Sequence, residues 1–355
     1  MKIYYYVSGH GFGHISRTSV ILSEILKNPG LTELHLISER TSFISEANPK
    51  LIKRNSKLDV GVYQKDSLSM DTEKTKQALI EFEKSKNRLL KEESDYCKTK
   101  GIDLIITDAS SLPLIIALEV GIPSVFVGNF TWDFIYRKFA NQDSYFTNIS
   151  DILLTEYSFA TEALVLPFHC PMPPFLEKTE VGLVGRKPTL TKSEARTSFQ
   201  FTDSYKYVLL SFGAYGLEGF DFHWENLPSD IKLVAYGVPG LKTDRVIVPD
   251  FCNYPDLVSA CDYVLTKPGY GILSECYYAD TPILYTDRGD FAEYPYLVEN
   301  LQNYFLSSYI SHEEISNCEF EIHFSRIDSA KGKVKVLEVP KNGEIQITNR
   351  IFEYT

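Results

Sequence analysis

Two nearly continuous apolar stretches, "IDLIITD" and "IPSVFVGN", flank the apolar, helix-forming "LPLIIALEVG", and this order over residues 102–129 constrains the fold more than any other feature. A strand that is apolar at successive positions has both faces buried, and strands separated by helices run parallel in a sheet covered on both sides. The N-terminal segment follows the same plan. "KIYYYVSG" reads as a strand and glycine turn, and "SRTSVILSEILKN" as an amphipathic helix with Val20, Ile21, Ile25 and Leu26 on one side. "ELHLISE" reads as a second short strand, and residues 72–100 as a long charged helix ending near Gly101.

The pattern then restarts. Prolines and glycines accumulate between residues 167 and 188, and beyond them "YKYVLLSFGAYG", "IKLVAYG", "DRVIVPDF", "CDYVLTKPGYG" and "TPILYT" are five further strand-and-turn signals. A chain of 355 residues also exceeds what one core usually organises. The expected fold class is therefore α/β, with two doubly wound Rossmann-like domains over residues 1–180 and 191–320 joined by a linker at 181–190. Residues 321–355, with "GKVKVLEVPKNGEIQITNRIFEY" alternating around Asn342-Gly343, are expected to form a β-rich extension. Two such domains enclose a cleft between the C-terminal ends of their sheets, where ligands of these sheets bind.

Charge narrows the partners. Lys+Arg 36 against Asp+Glu 47 gives a formal charge of -11, which disfavours nucleic acid or an anionic membrane as main partner. No basic, apolar and small-residue sequence of a secretory signal is seen, and no apolar run reaches the roughly 20 residues of a transmembrane segment, so a cytoplasmic location is expected. The six cysteines form no C-x-x-C pair, which gives no sign of a zinc ribbon or redox motif.

Four glycine-containing loops carry the candidate chemistry. "TKPGYGILSE" follows a strand and opens a helix, so Gly269, Tyr270 and Gly271 can offer backbone N–H groups to a phosphate, with Lys267 adding charge and Glu275 on the second helical turn. Structural turn glycines are the alternative reading. "SFGAYG", containing Gly213, ends a strand facing the same cleft or is a plain turn. "YTDRGDFAEYP" places Asp287, Arg288, Asp290 and Glu293 at a strand end, either for sugar hydroxyls or as a solvated loop.

"SGHGFGHISR" has neither the lysine of a Walker loop nor the spacing of a dinucleotide fingerprint, and its glycines argue against a helical zinc pair at His10 and His14. It reads as a turn stripped of side chains so that a ligand can approach, with an imidazole at the helix start. His14 is the better base candidate, Asp108 at the end of its apolar strand is the natural partner, and "TDAS" as a plain helix cap is the alternative. Asp133, among aromatic neighbours, is a third carboxylate of interest.

Taken together, "SGHGFGHISR", "GNFTWDFIY", "LPFHCPMPPF", "KPGYGILSE" and "RGDFAEYPYLVENL" resemble the glycosyltransferase-like N-terminal half of plant L-arabinokinase and related bacterial proteins, which have the GT-B fold. The P-x-x-x-G-L-G-S-S-type loop of the accompanying kinase domain is not found. More distantly, the layout is similar to the N-acetylglucosaminyl transferase of peptidoglycan synthesis. That resemblance implies an acceptor-side first domain and a nucleotide-sugar-binding second domain, with Phe251 near the base, Glu275 on the ribose and the Gly269–Gly271 turn on the diphosphate. The second histidine, His10, departs from the pattern and leaves the base open between two imidazoles.

The expected function is transfer of a hexosyl or N-acetylhexosaminyl group from a nucleoside diphosphate sugar, uridine being the nucleotide the resemblance implies, to a hydroxyl of a small-molecule, glycan or lipid acceptor. Inversion is expected, and the sequence has no Asp-x-Asp triplet for a metal clamp. A nucleotide-sugar epimerase or hydrolase, or a non-catalytic nucleotide-sugar-binding or interaction module, are the alternatives on the same fold.

Overall fold

The computed structural model describes residues 1–65, 69–212, 222–236, 245–249, 252–333 and 336–354, without the side chain of Phe12. Its first half holds strands β1 (Lys2–Val7), β2 (Glu33–Ile37), β3 (Leu51–Arg54), β4 (Leu104–Asp108), β5 (Ser124–Gly128), β6 (Glu162–Val165) and β7 (Lys178–Glu180). Between them run helices α1 (Phe12–Ile25), α2 (Thr72–Lys100), α3 (Leu112–Val120), α4 (Trp132–Arg137) and α5 (Ser144–Tyr157). The strands form one parallel sheet in the order β3-β2-β1-β4-β5-β6-β7.

The second half holds α6 (Lys192–Ser198), β8 (Lys206–Ser211), β9 (Ile231–Ala235), β10 (Val246–Ile247), α7 (Tyr254–Ala260), β11 (Tyr263–Thr266), α8 (Tyr270–Ala279), β12 (Ile283–Tyr285), α9 (Tyr294–Tyr304) and β13 (Ser307–Tyr309). These strands are also parallel, in the order β10-β9-β8-β11-β12-β13. Strand order reverses between β1 and β4 in one sheet and between β8 and β11 in the other. Such switch points open crevices at the C-terminal strand ends, and here the start of α1, at Gly13, and the start of α8, at Tyr270 and Gly271, line one cleft.

β1 shows how the sheet is covered. Tyr4 and Tyr6 pack on one face, and Ile3, Tyr5 and Val7 on the other, all fully buried. Buried phenols need partners, and Tyr4 donates to Glu93 Oε2 at 2.9 Å while Tyr6 donates to Asp59 Oδ1 at 2.7 Å. Five of the six cysteines, Cys97, Cys170, Cys261, Cys276 and Cys318, are buried, and all six are free thiols. Among the described residues no helix is long and apolar enough to cross a membrane.

The C-terminal segment corrects the β-rich expectation. After α10 (His312–Ser316) it forms helices α11 (Glu321–Ala330) and α12 (Gly343–Ile351). The isoleucines at 345, 347 and 351 resemble a strand by composition, yet the buried positions 344, 347, 348 and 351 recur at helical spacing. Asn342 adopts the left-handed φ of 63° expected of a hairpin turn, but it precedes a helix. α12 leaves the second half and packs against α1: Ile347 and Ile351 join the core of Ile21 and Ile25, and Arg350 and Tyr354 both donate to Glu162 Oε2 at 2.8 Å.

Where α12 begins, it touches the chain crossing between the halves. Leu183 N–H donates to the Pro340 carbonyl at 2.7 Å, and a Cβ at Gly343 would lie 1.9 Å from the Gly182 carbonyl oxygen. Backbone cannot rotate away as a side chain can. Gly343→Ala is expected to destabilise the fold by about 1–3 kcal/mol, the usual range for overpacking, as read by urea unfolding. Parent stability in this variant would show that the crossing yields freely.

Candidate functional site

The first wall of the cleft begins with register. Val7, the last residue of β1, pairs with Asp108, the last of β4, so the turn leaving β1 passes beside that carboxylate. Gly11, the residue before α1, has a φ of 82°, a region that side chains disfavour, and α1 therefore starts without a side-chain cap. His14 lies in its first turn and Arg17 one turn later on the same side.

Both reach Asp108. His14 Nδ1 is 2.7 Å from Oδ1, Arg17 Nε donates to Oδ2 at 2.7 Å, Arg17 Nη2 donates to Oδ1 at 2.5 Å, and Thr18 Oγ1 is 3.4 Å from Oδ2. Nη2 and Nδ1 are 3.1 Å apart because they converge on one oxygen. The far end of Arg17 donates through Nη1 to Asn129 Oδ1, and Asn129 Nδ2 donates to the Pro167 carbonyl at 2.6 Å. Asp108 is fully buried, which by itself raises a carboxyl's proton affinity; the charge of Arg17, with the hydrogen bonds from Arg17 and His14, overrides this and holds it well below the usual carboxylate range. A carboxylate only accepts, so the neutral His14 carries its proton on Nδ1 and leaves the Nε2 lone pair uncommitted. Both polar contacts of His14 among the described residues go through Nδ1.

His10 is placed differently. Its ring sits edge-on to Trp132 at 5.3 Å, and a Cβ at Gly61 would lie 2.0 Å from its Nδ1, so the glycine makes room for it. Burial above all, with the nearby charge of Arg288 adding to it, pushes the His10 imidazole down to about 3. An imidazole so reluctant to take a proton is a weak base. Asp133 is buried, its carboxyl raised by that burial, and its Oδ1 has no partner among the described residues.

The second wall starts where β11 ends beside β8, with Thr266 Oγ1 donating to the Ser211 carbonyl at 2.6 Å. α8 begins at Tyr270 after Gly269 and also has no side-chain cap, which leaves first-turn N–H groups open to an anion. The two uncapped helix starts meet: a Cβ at Gly271 would be 3.8 Å from the Gly13 Cα. Tyr270 stacks on Phe130 of the first half at 6.0 Å, and its hydroxyl is 3.3 Å from Cys170 Sγ. Arg288 donates through Nη1 to the Pro268 carbonyl at 2.9 Å and lies 3.9 Å from Glu293 Oε1, which places its charge behind the Gly269 turn. Lys267 Nζ lies 5.6 Å from the centre of the Phe212 ring.

Glu275, on the second turn of α8, is buried and paired with Arg186 of the crossing segment, at 2.8 Å from Nε and 2.5 Å from Nη2. Burial raises its carboxyl and Arg186 only partly offsets that. Gly13, Arg17, Asn129, Arg186, Gly271 and Glu275 all line one cleft between the halves. Asp287 and Asp290 are turned to other partners, Asp287 accepting from Tyr294 and Tyr309 and Asp290 pairing with Lys138 at 2.8 Å. Gly213 and Phe251 lie outside the described residues. Among the described residues no group of three or more His, Cys, Asp or Glu side chains is placed to hold a metal ion.

Sequence reading missed Arg17, Asn129 and Arg186 as cleft residues. Arg17 was legible, since it follows His14 by three positions on a helix. Asn129 carries only the weaker signal of following an apolar strand, and Arg186 carries none.

No protein-family model matches the chain. It is 28% identical over 311 residues to L-arabinokinase of Arabidopsis thaliana, an alignment covering 84% of this chain and 29% of that protein. The chain thus spans less than a third of the length of this relative. Among solved structures it superposes on the glycotransferase of kitacinnamycin with a TM-score of 0.67 at 12% identity, covering 99% of this chain and 98% of the other. UGT2 of Phytolacca americana, complexed with UDP-2-fluoro-glucose and pterostilbene, gives 0.64 at 14% identity with 99% of both chains covered. A UDP-glucosyltransferase of Polygonum tinctorium that glucosylates indoxyl gives 0.67 at 11% identity, covering 99% and 98%. With its two parallel sheets, each reversing strand order at the cleft, the chain has the GT-B fold.

Proposed function

We propose that this protein transfers a sugar from a nucleoside diphosphate sugar to an acceptor hydroxyl, with inversion and without a metal clamp. The observation that carries the reading is the pairing of walls across one cleft: an Asp108-held imidazole whose Nε2 has no partner among the described residues on one side, and the uncapped start of α8 backed by Arg288 on the other. The acceptor oxygen gives its proton to His14 Nε2 as it bonds to the anomeric carbon. The bond from that carbon to the diphosphate oxygen breaks, and its electron pair leaves with the diphosphate. The N–H groups of α8, with Arg288 and Lys267 nearby, meet the charge as it develops.

Glu275 would take the ribose hydroxyls through the carboxylate that Arg186 orients, and a uridine nucleotide is the first choice because the superposed Phytolacca enzyme holds one. The acceptor is a small molecule, glycan or lipid bearing a hydroxyl, entering from the His14 side. His10 is assigned no proton transfer, because its low proton affinity leaves it neutral and weakly basic.

Thermal unfolding against UDP, GDP, ADP, CDP and TDP tests the donor half. A ligand at about 100 times its dissociation constant stabilises the fold by about 2.7 kcal/mol, and one nucleotide, UDP first, is expected to stand out. Five flat responses would overturn the reading.

A further inference from the structure

The Asp108 carboxylate makes more hydrogen bonds than an imidazole partner requires. Arg17 takes both of its oxygens, Oδ2 through Nε at 2.7 Å and Oδ1 through Nη2 at 2.5 Å, while His14 shares Oδ1. A two-point guanidinium contact fixes the plane of a carboxylate as no single donor can. The other end of Arg17 is held by Asn129, itself tied to the Pro167 carbonyl, so the clamp is anchored on β5's exit and on the segment after β6. All three charged or chargeable groups are at least nine-tenths buried, where an unneutralised carboxylate would recruit a proton from any neighbour able to supply one.

We propose that Arg17 is a positioning residue of the base: by holding both oxygens of Asp108 and meeting their charge, it keeps His14 aimed through Nδ1 and unprotonated at Nε2. The inference rests on the transfer reading for its consequence in catalysis, but the geometry it explains exists without substrate. The other titratable groups facing the cluster do not supply the missing charge. Tyr5 on β1 and Tyr270 on α8 are phenols made harder to ionise by burial. His10 in the first loop is pushed down to about 3 by burial first, and Asp59, after β3, is raised by burial while bonded to Tyr6 and Trp132. Without Arg17, His14 is the one group among these that can take up a proton to meet the charge of Asp108.

The test uses the full chain labelled with nitrogen-15 in histidine, the His14 ring signals being assigned by their loss in His14→Gln. In the parent near neutral pH, His14 is expected to show a proton on Nδ1 and none on Nε2. Arg17→Gln should protonate both nitrogens at that pH and move the ring's titration upward by at least about one pH unit, a tenfold change in proton affinity. In transfer assays the same variant should lose about 10-fold or more in kcat near neutral pH, with the donor KM unchanged and the loss recovered as the pH is raised, since a base must be unprotonated.

An Arg17→Gln protein with the parent's ring state and titration overturns the proposal, and a pH-independent loss would assign Arg17 a merely structural role. Should that variant not fold, Arg17→Lys carries the test. It keeps the charge without the two-point grip, so His14 should remain unprotonated at Nε2 while kcat still falls; parent kcat in Arg17→Lys overturns the clamp. If the parent transfers no sugar from any donor, the transfer reading fails, and the ring-nitrogen measurement still decides the role of Arg17.

Discussion

Replacing His14 by alanine is expected to lower sugar transfer on the order of 10²- to 10⁴-fold, the span of a positioned general base, while nucleotide affinity stays at the parent value. The separation of the two effects follows from the fold. The proposed nucleotide site lies at the start of α8 and at Glu275, both in the second half, whereas His14 belongs to the first turn of α1. Its ring touches Phe130 edge-on at 5.7 Å and Asp108 through Nδ1, so alanine removes the proton acceptor and little else. The loss should fall on kcat at saturating donor, because the imidazole interacts with the proton only as the acceptor bond forms. Initial rates together with calorimetric titration of UDP check this. Unchanged rates with intact nucleotide binding would remove His14 from the mechanism, and equal losses of binding and rate would make it a residue of the binding site.

The parts of this molecule visible in its sequence are those whose signal is local. β1, β4 and β5 are legible because a strand buried on both faces must be apolar without interruption, and the glycine turns after β1 and β11 stand out because only glycine allows close approach there. Asp108 is legible for the same reason: a lone carboxylate ends an apolar run. β7 is invisible because all three of its residues are exposed at a sheet edge, and β3 because only Leu51 and Arg54 of "LIKR" are even half-buried. The tail misleads because isoleucine and threonine favour strands on average, and packing on α1 overrides that preference. Contacts across long separations leave no local trace. Arg17 and Asp108 lie 91 positions apart, and Arg186 and Glu275 lie 89 apart, so nothing near either residue announces its partner.

The same Arg17–Asp108 contact gives Asp108 a part in stability beside its proposed part in holding the base. Asp108→Ala should destabilise the fold by about 3–5 kcal/mol near neutral pH, the usual result of removing one partner from a buried ion pair. The cost arises from what is left: a guanidinium on α1, less than a tenth exposed, facing Asn129 but no carboxylate. Removing both charges at once should therefore recover much of the loss, and Arg17→Met combined with Asp108→Ala is expected to be more stable than Asp108→Ala alone. Acid separates this account from simple loss of packing. Folding lowers the proton affinity of the Asp108 carboxyl, so the unfolded chain binds more protons than the folded one once the pH approaches an ordinary aspartate's value of about 3.9. The stabilisation is present in full above that value and is lost as the pH falls below it through the depressed folded value. Urea unfolding of parent and variant should accordingly give a constant gap at neutral pH that narrows only as the pH drops toward and below about 3.9. A gap under about 1 kcal/mol at neutral pH, within the range of an exposed pair, or a double variant no more stable than Asp108→Ala, would show that the cluster is not held by its charges.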